Sequence, residues 1–183
     1  MKYIPQHIHD IILIEPTVHG DDRGRFVETF RQDLLENSIG RRVNFIQDNE
    51  SSSIKGVLRG LHYQLPPYAQ TKLVRVISGH VLDVAVDIRK KSPTFGQHVA
   101  VELTDKNRHQ LFIPHGFAHG FVVLSNTATF AYKVDNYYSP EHDRGIAFDD
   151  DKINIDWILP IEKIQLSRKD KSQPKLANST DLL

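Results

Sequence analysis

The run GVLRGLHYQLPPYAQTK, residues 56–72, places five residues between Gly56 and His62, a glutamine two positions after the histidine, and a lysine at position 72. Read as a strand, VLRGLHYQ sends Arg59 and Leu61 to one face and Leu58, Gly60, His62 and Gln64 to the other. A face with glycine, histidine and glutamine side by side is a poor core face and reads as a cavity wall. Arg59 beside it cannot be buried without an anionic partner. Taken alone, one histidine among ten is more often structural or exposed than catalytic. Its neighbours shift that balance.

The same period of two recurs along the chain. HVLDVAVDIR (80–89) sets Leu82, Val84, Val86 and Ile88 against Asp83, Ala85 and Asp87, and QHVAVELT, KLVRVISG and HGFVVL alternate in the same way, VNFIQDN more weakly. Turn signals separate these segments: SG at 78–79, SPTFG at 92–96, TDKN at 104–107 and SN at 125–126. Only RQDLLENS (31–38) has the pattern of a short helix, with a further turn or two over 150–157. Many short strands and almost no helix predict one all-β domain, a sandwich or barrel, over residues 1–183. The polar, aperiodic stretch 171–183 is expected to be a loosely held tail.

A chain of 183 residues is long enough for one sizeable core. Lysine plus arginine equals aspartate plus glutamate at 23 each, so no basic excess points to nucleic acid or an anionic membrane, although a local cationic pocket for a small anion remains open. The absence of cysteine excludes disulfides, thiolate nucleophiles and cysteine-bound zinc, and fits a reducing compartment. At the start of the chain, the ILI of MKYIPQHIHDIILIEP lies between Asp10 and Glu15, too short a run for a signal peptide or a membrane span. A cytoplasmic location is expected.

A second stretch, LFIPHGFAHGFVVL (111–124), holds the spacing Pro114, Gly116, His119. Together with Gly56 to His62, this pair of motifs resembles the two signatures of the cupin superfamily and implies a jelly roll whose motifs line one cavity. Metal-binding cupins use about three histidines and one glutamate. Here only His62 and His119 occupy such positions, Gln64 replaces one histidine and Lys72 stands where an acid is expected. A lysine repels a divalent ion as strongly as a carboxylate attracts it, roughly 4 kcal/mol per unit charge at 4 Å. Lys72 is therefore read as a replacement for a metal, able to stabilise an enolate oxygen.

Proton removal beside a ketone needs a base near neutrality, an oxyanion partner and an acid. Histidine suits the first role, Lys72 the second and a tyrosine the third. FAYKVDNYYSPEHD (130–143) offers Tyr132, Tyr137 and Tyr138, read as one strand with Tyr132 and Tyr138 on the same face; cross-strand aromatic packing explains these rings equally well.

The ordered series DDRGRFVETF, FIQDNESSS, GVLRGLHYQ, QTKLV, VDIRKKSPTFGQ, IPHGFAHGFVVLS, YKVDNYYSP and LSRKD closely resembles the dTDP-4-dehydrorhamnose 3,5-epimerase family, from about residue 3 to 170. The resemblance implies His62 as the base, Asp170 as its carboxylate partner, Tyr132 as the acid on the opposite face and Lys72 at the carbonyl oxygen. It implies substrate contacts from Arg23, Glu28, Gln47, Asn49, Arg59, His119, Asp143 and Lys169, with Tyr138 stacked on thymine and arginines gripping the pyrophosphate. It implies a dTDP-sugar substrate, no metal or redox cofactor, and a homodimer that exchanges N-terminal strands; on strand statistics alone RFVETF is as readily an ordinary edge strand. Two departures stand out: Asp143 replaces a glutamate and Phe148 replaces the tryptophan of some relatives. A single-site 3- or 5-epimerase of another deoxysugar, and a non-catalytic sugar-binding cupin, are the alternatives.

Overall fold

In the computed structural model, which describes residues 1–183, thirteen strands form two facing antiparallel sheets and one outlying hairpin. The N-terminal part comprises β1 (Lys2–Pro5), β2 (Ile12–Glu15), the hairpin β3 (Val18–Asp21) and β4 (Gly24–Val27), and helix α1 (Gln32–Ile39). Then come β5 (Gln47–Ile54), β6 (Leu58–Gln64), β7 (Lys72–Ser78), β8 (His80–Asp87) and β9 (His98–Thr104). The chain continues through β10 (Gln110–Ile113), β11 (Phe117–Val123), β12 (Thr127–Val134), β13 (Asp143–Gly145) and helix α2 (Arg168–Lys171). One sheet has the order β1-β2-β10-β7-β12-β5, the other β13-β6-β11-β8-β9. This is the all-β fold expected from the alternation and the jelly roll implied by the cupin resemblance, and no helix is long and apolar enough to cross a membrane.

Alternation decides what each strand buries. On β8, Val81 and Ala85 point between the sheets, where they meet Val74, Val76, Leu111 and Phe130 of the opposite sheet. Leu82, Val84 and Val86, with Ile88 just beyond the strand, point outward into a second core. That second core is closed by the C-terminal segment, through Ile146, Ile153, Trp157 and Leu176, with Phe148, Leu182 and Leu183 packed against it. A third cluster forms where α1 lays Leu35 over Ile12, Ile14, Leu73 and Phe112 on the outer face of the six-stranded sheet.

Three local expectations are corrected. The end of the chain is tied down: Arg144 Nε meets Asp181 Oδ2 at 2.8 Å, Tyr63 Oη donates to the Asp181 carbonyl, and Lys90 N–H donates to the carbonyl of Leu183. Polar composition was a poor guide there because a few leucines are enough to anchor the segment. Next, β12 ends at Val134, so Tyr137 and Tyr138 lie on a loop, both exposed, and share no strand face with Tyr132.

The third correction concerns β6 itself. Its pairing with β11 takes three steps on β6, from Arg59 to His62, for two on β11, from Phe121 to His119, which is a β-bulge. The extra residue reverses the face of everything before it. Leu58 and Leu61 therefore enter the outer core, while Arg59 joins His62 in facing the space between the sheets. Gly60 makes the bulge possible: its φ is +136°, and a Cβ there would sit 2.5 Å from Gly120 Cα.

Candidate active site

The bulge sets β6 and β11 so that His62 and His119 are direct cross-strand partners, and both rings look into the cleft between the sheets. Each is engaged by its own carboxylate. His62 Nε2 lies 2.5 Å from Asp170 Oδ1, and His119 Nε2 lies 2.8 Å from Asp83 Oδ1. The two pairs differ in access: the His62 side chain is 32% exposed, that of His119 only 8%.

Asp170 comes from the first turn of α2. Ser167 caps that helix, accepting the Asp170 N–H at 3.1 Å and donating its hydroxyl to Asp170 Oδ2 at 2.7 Å. Burial pushes the Asp170 carboxyl up, but the His62 and Ser167 hydrogen bonds outweigh it and hold the group below the usual carboxylate range. An ionised carboxylate only accepts, so the neutral His62 ring carries its proton on Nε2 and leaves Nδ1 bare to take another.

Lys72 opens β7, half-buried, flanked in its own sheet by Ile113 and Val134. Burial pushes its ammonium down to about 8, with Asp83 and Asp143 pulling in the other direction. Tyr132 lies on the inner face of β12 against Phe130; burial pushes its phenol up, against the pull of Arg59. It therefore holds its proton at neutral pH. Arg59 reaches across the cleft to Ser53 Oγ on β5, with Nε at 3.2 Å and Nη2 at 3.1 Å. Asn49, cross-strand partner of Tyr132, takes a hydrogen bond from Gln47 at 2.8 Å.

At the mouth, Asp143 Oδ2 accepts from Tyr138 Oη at 2.9 Å and pairs with Lys169 Nζ. Asp143 thus holds two neighbouring substrate-contact candidates together. Burial also lowers His119, opposed by Asp83 and reinforced by Lys72, and by His62 whenever that ring is protonated.

Two of the residues singled out in the sequence stay outside this cleft in the single chain. Arg23, on the turn of the outlying hairpin, is 90% exposed and paired only with Asp21, and Glu28 stands beside Tyr3 and Arg31. The rest come together. Gln64 has a role the sequence did not reveal: buried, it donates to the carbonyls of Tyr68 (2.7 Å) and Tyr137 (3.1 Å) and accepts from Ser139 N–H (2.7 Å). Where a metal cupin has a ligand, this chain has a clasp between two loops. No group of three or more histidine or carboxylate side chains is placed to hold a metal ion. Asp83 and Ser167 were missed; the one signal for Asp83 was an acid between Val81 and Ala85 on the inner face of β8.

A jelly roll carrying a carboxylate-backed histidine, an ammonium and a phenol around one cleft fits an isomerase of the epimerase type. The model of the family described as dTDP-4-dehydrorhamnose 3,5-epimerase matches residues 5–178. The Shigella flexneri enzyme of that name is 54% identical over 179 residues, covering 98% of each chain. The solved dTDP-6-deoxy-D-glucose 3,5-epimerase of Legionella pneumophila, in complex with dTDP-4-keto-L-rhamnose, superposes with a TM-score of 0.93 at 50% identity, covering 97% of this chain and 93% of that one. A 3'-monoepimerase from Streptomyces bikiniensis, in complex with dTDP-quinovose, gives 0.88 at 32% identity over 94% and 87%. The chain belongs to the dTDP-4-dehydrorhamnose 3,5-epimerase family.

Proposed function

We propose that this enzyme inverts C3 and C5 of dTDP-4-dehydro-6-deoxy-D-glucose to give dTDP-4-dehydro-L-rhamnose. The C4 ketone acidifies the protons on both neighbouring carbons. His62 Nδ1 removes each in turn, and Asp170 stabilises the imidazolium that forms. Lys72 holds the developing enolate oxygen, in a cleft where a fixed ammonium is worth far more than in water. Tyr132 returns a proton from the opposite face, which inverts the centre. Arg59, His119, Gln47 and Asn49 position the sugar diphosphate, and Tyr138, Asp143 and Lys169 receive the nucleotide at the mouth. The observation that carries the reading is the His62–Asp170 pair sharing one cleft with Lys72 and Tyr132, in a chain about half identical to double epimerases along its whole length.

The active form in this proposal is a homodimer. The hairpin of β3 and β4 pairs with no other strand, leaves Phe26 69% exposed, and carries Arg23 away from its own cleft. Insertion into a second copy would cover that apolar surface and bring Arg23 and Glu28 to the partner's diphosphate.

Nuclear magnetic resonance of the purified protein with dTDP-4-dehydro-6-deoxyglucose in D2O tests the reaction. Deuterium at both C3 and C5, followed by an L-rhamnose product once a reductase is added, is the expected result. Exchange at one carbon alone would make the enzyme a mono-epimerase. Bound sugar nucleotide without exchange would leave a binding protein.

A further inference from the structure

Asp83 is fully buried, and only one of its two carboxylate oxygens is used. Oδ1 takes the His119 Nε2 proton, while Oδ2 is buried without any hydrogen-bond partner. Leaving one oxygen of a buried charge unsatisfied is costly, and native proteins keep such groups where a function compensates. The cation nearest in kind is Lys72, whose Nζ has neither a hydrogen bond nor an ion pair. Other groups around Lys72 are already committed. Asp143 of β13 is held by Lys169 and Tyr138, His62 of β6 by Asp170, and His119 of β11 by Asp83 itself. The strands on either side place Ile113 and Val134 directly beside it, and Tyr132, farther along β12 and raised by burial, carries no negative charge at neutral pH. Asp83 on the inner face of β8 and Lys72 at the start of β7 thus leave one anionic oxygen and one ammonium uncommitted, and the Asp83 charge acts on Lys72.

We propose that Asp83 is a positioning residue: Oδ1 fixes His119 with its proton on Nε2, and the second oxygen supplies the counter-charge that keeps Lys72 an ammonium for the substrate's carbonyl oxygen. A buried lysine with no anion nearby loses its proton, and a neutral amine stabilises an enolate poorly. Asp83 offsets that loss without forming an ion pair, so the ammonium stays free to meet substrate. This rests on the reading of Lys72 as the oxyanion partner, and the two fail separately: full activity in Lys72→Ala would remove that reading, whereas the titration below concerns Asp83 alone.

The experiment is a titration of the protein carrying 13C-labelled lysine side chains, with Lys72 assigned from a Lys72→Arg difference spectrum, for wild type and Asp83→Asn. Wild-type Lys72 is expected to titrate at about 8. In Asp83→Asn it should move down by about one unit, cutting the ammonium fraction at pH 7.5 about threefold. The basic limb of kcat/KM should move with it, a response that a purely structural role would not give. An unchanged Lys72 titration in the variant overturns the proposal, even if activity falls. If the variant does not fold, the wild-type titration decides: near 8 the lysine is in the depressed state that needs a counter-charge, and above 10 it needs none.

Discussion

Asp170→Asn changes the site by one amide nitrogen and, on this geometry, removes the base. Ser167 donates its hydroxyl proton to Asp170 Oδ2 while accepting the Asp170 backbone N–H. A carboxamide placed there satisfies Ser167 best by turning its oxygen toward the hydroxyl, which leaves the NH2 facing His62 Nε2. An NH2 donates, so Nε2 must accept, and the ring proton moves to Nδ1. The nitrogen that should remove the sugar proton is then already protonated. A wrong-tautomer aspartate-to-asparagine change in a histidine–carboxylate pair has cost on the order of 10⁴ in kcat, or about 5.5 kcal/mol. The assay is the rate of deuterium incorporation at C3 and C5 in D2O, with dTDP binding measured alongside to show that the fold and nucleotide subsite persist. A variant keeping more than about a tenth of wild-type kcat would refute the tautomer reasoning. Stability offers an independent check. Asp170 is held below its ordinary value, so its contribution is present above that value and is lost as pH falls through the folded one. Below about pH 4 wild-type Tm should thus drop more steeply than that of the variant.

Lys72→Ala should lower kcat by about 10²–10³, the scale of a lost oxyanion donor, and an unchanged kcat would remove it from that role. Tyr132→Phe should separate exchange from inversion: deuterium still enters through His62, but the inverted product forms about 10²–10⁴ more slowly, and equal rates for both would place the acid elsewhere. Gly120→Ala puts a Cβ 2.8 Å from the Arg59 carbonyl oxygen and 3.0 Å from Gly60 Cα. Backbone atoms cannot yield cheaply, so urea unfolding should show a loss of roughly 1–3 kcal/mol, and an unchanged midpoint would mean the β6–β11 approach is looser than described.

Much of this was written in the sequence, but not evenly. The faces of β8 followed directly from HVLDVAVDIR, because an uninterrupted strand has no means of changing which side its residues occupy. β6 defeated the same rule. A bulge is a property of two paired strands, and the glycine that permits it, Gly60, does not reveal from its own segment which partner lies opposite. Arg59 was thus assigned to the wrong face although its need for a polar partner was clear. The tyrosines show a related limit: YKVDNYY keeps a strand-like composition past Val134, and only the bend at Asp135 and Asn136 takes Tyr137 and Tyr138 out of register. Asp83 and Ser167 escaped notice because each acts on another side chain, and such pairings bring together residues far apart in the chain or, for Ser167, a cap on a helix of one turn.

Position 64, where a metal cupin has a ligand, holds a glutamine that serves the backbone instead. In a metal cupin the cleft floor gathers imidazoles around a cation. Here the two imidazoles remain, but each faces a carboxylate, and Gln64 has turned from the cleft to bind loop backbone. The consequence is a division between two neighbouring rings that differ chiefly in burial. His62, partly open to solvent, has one nitrogen fixed by Asp170 and leaves the other free, which in the proposed reaction takes up the sugar proton. His119, nearly closed off and lowered by burial, remains neutral beside Lys72 and so does not add a second positive charge to the floor. A site that removes two protons in succession needs one exchangeable base and a surrounding field that does not change as that base cycles. Pairing each histidine with its own aspartate supplies both, with the rings on β6 and β11 and the carboxylates on α2 and β8.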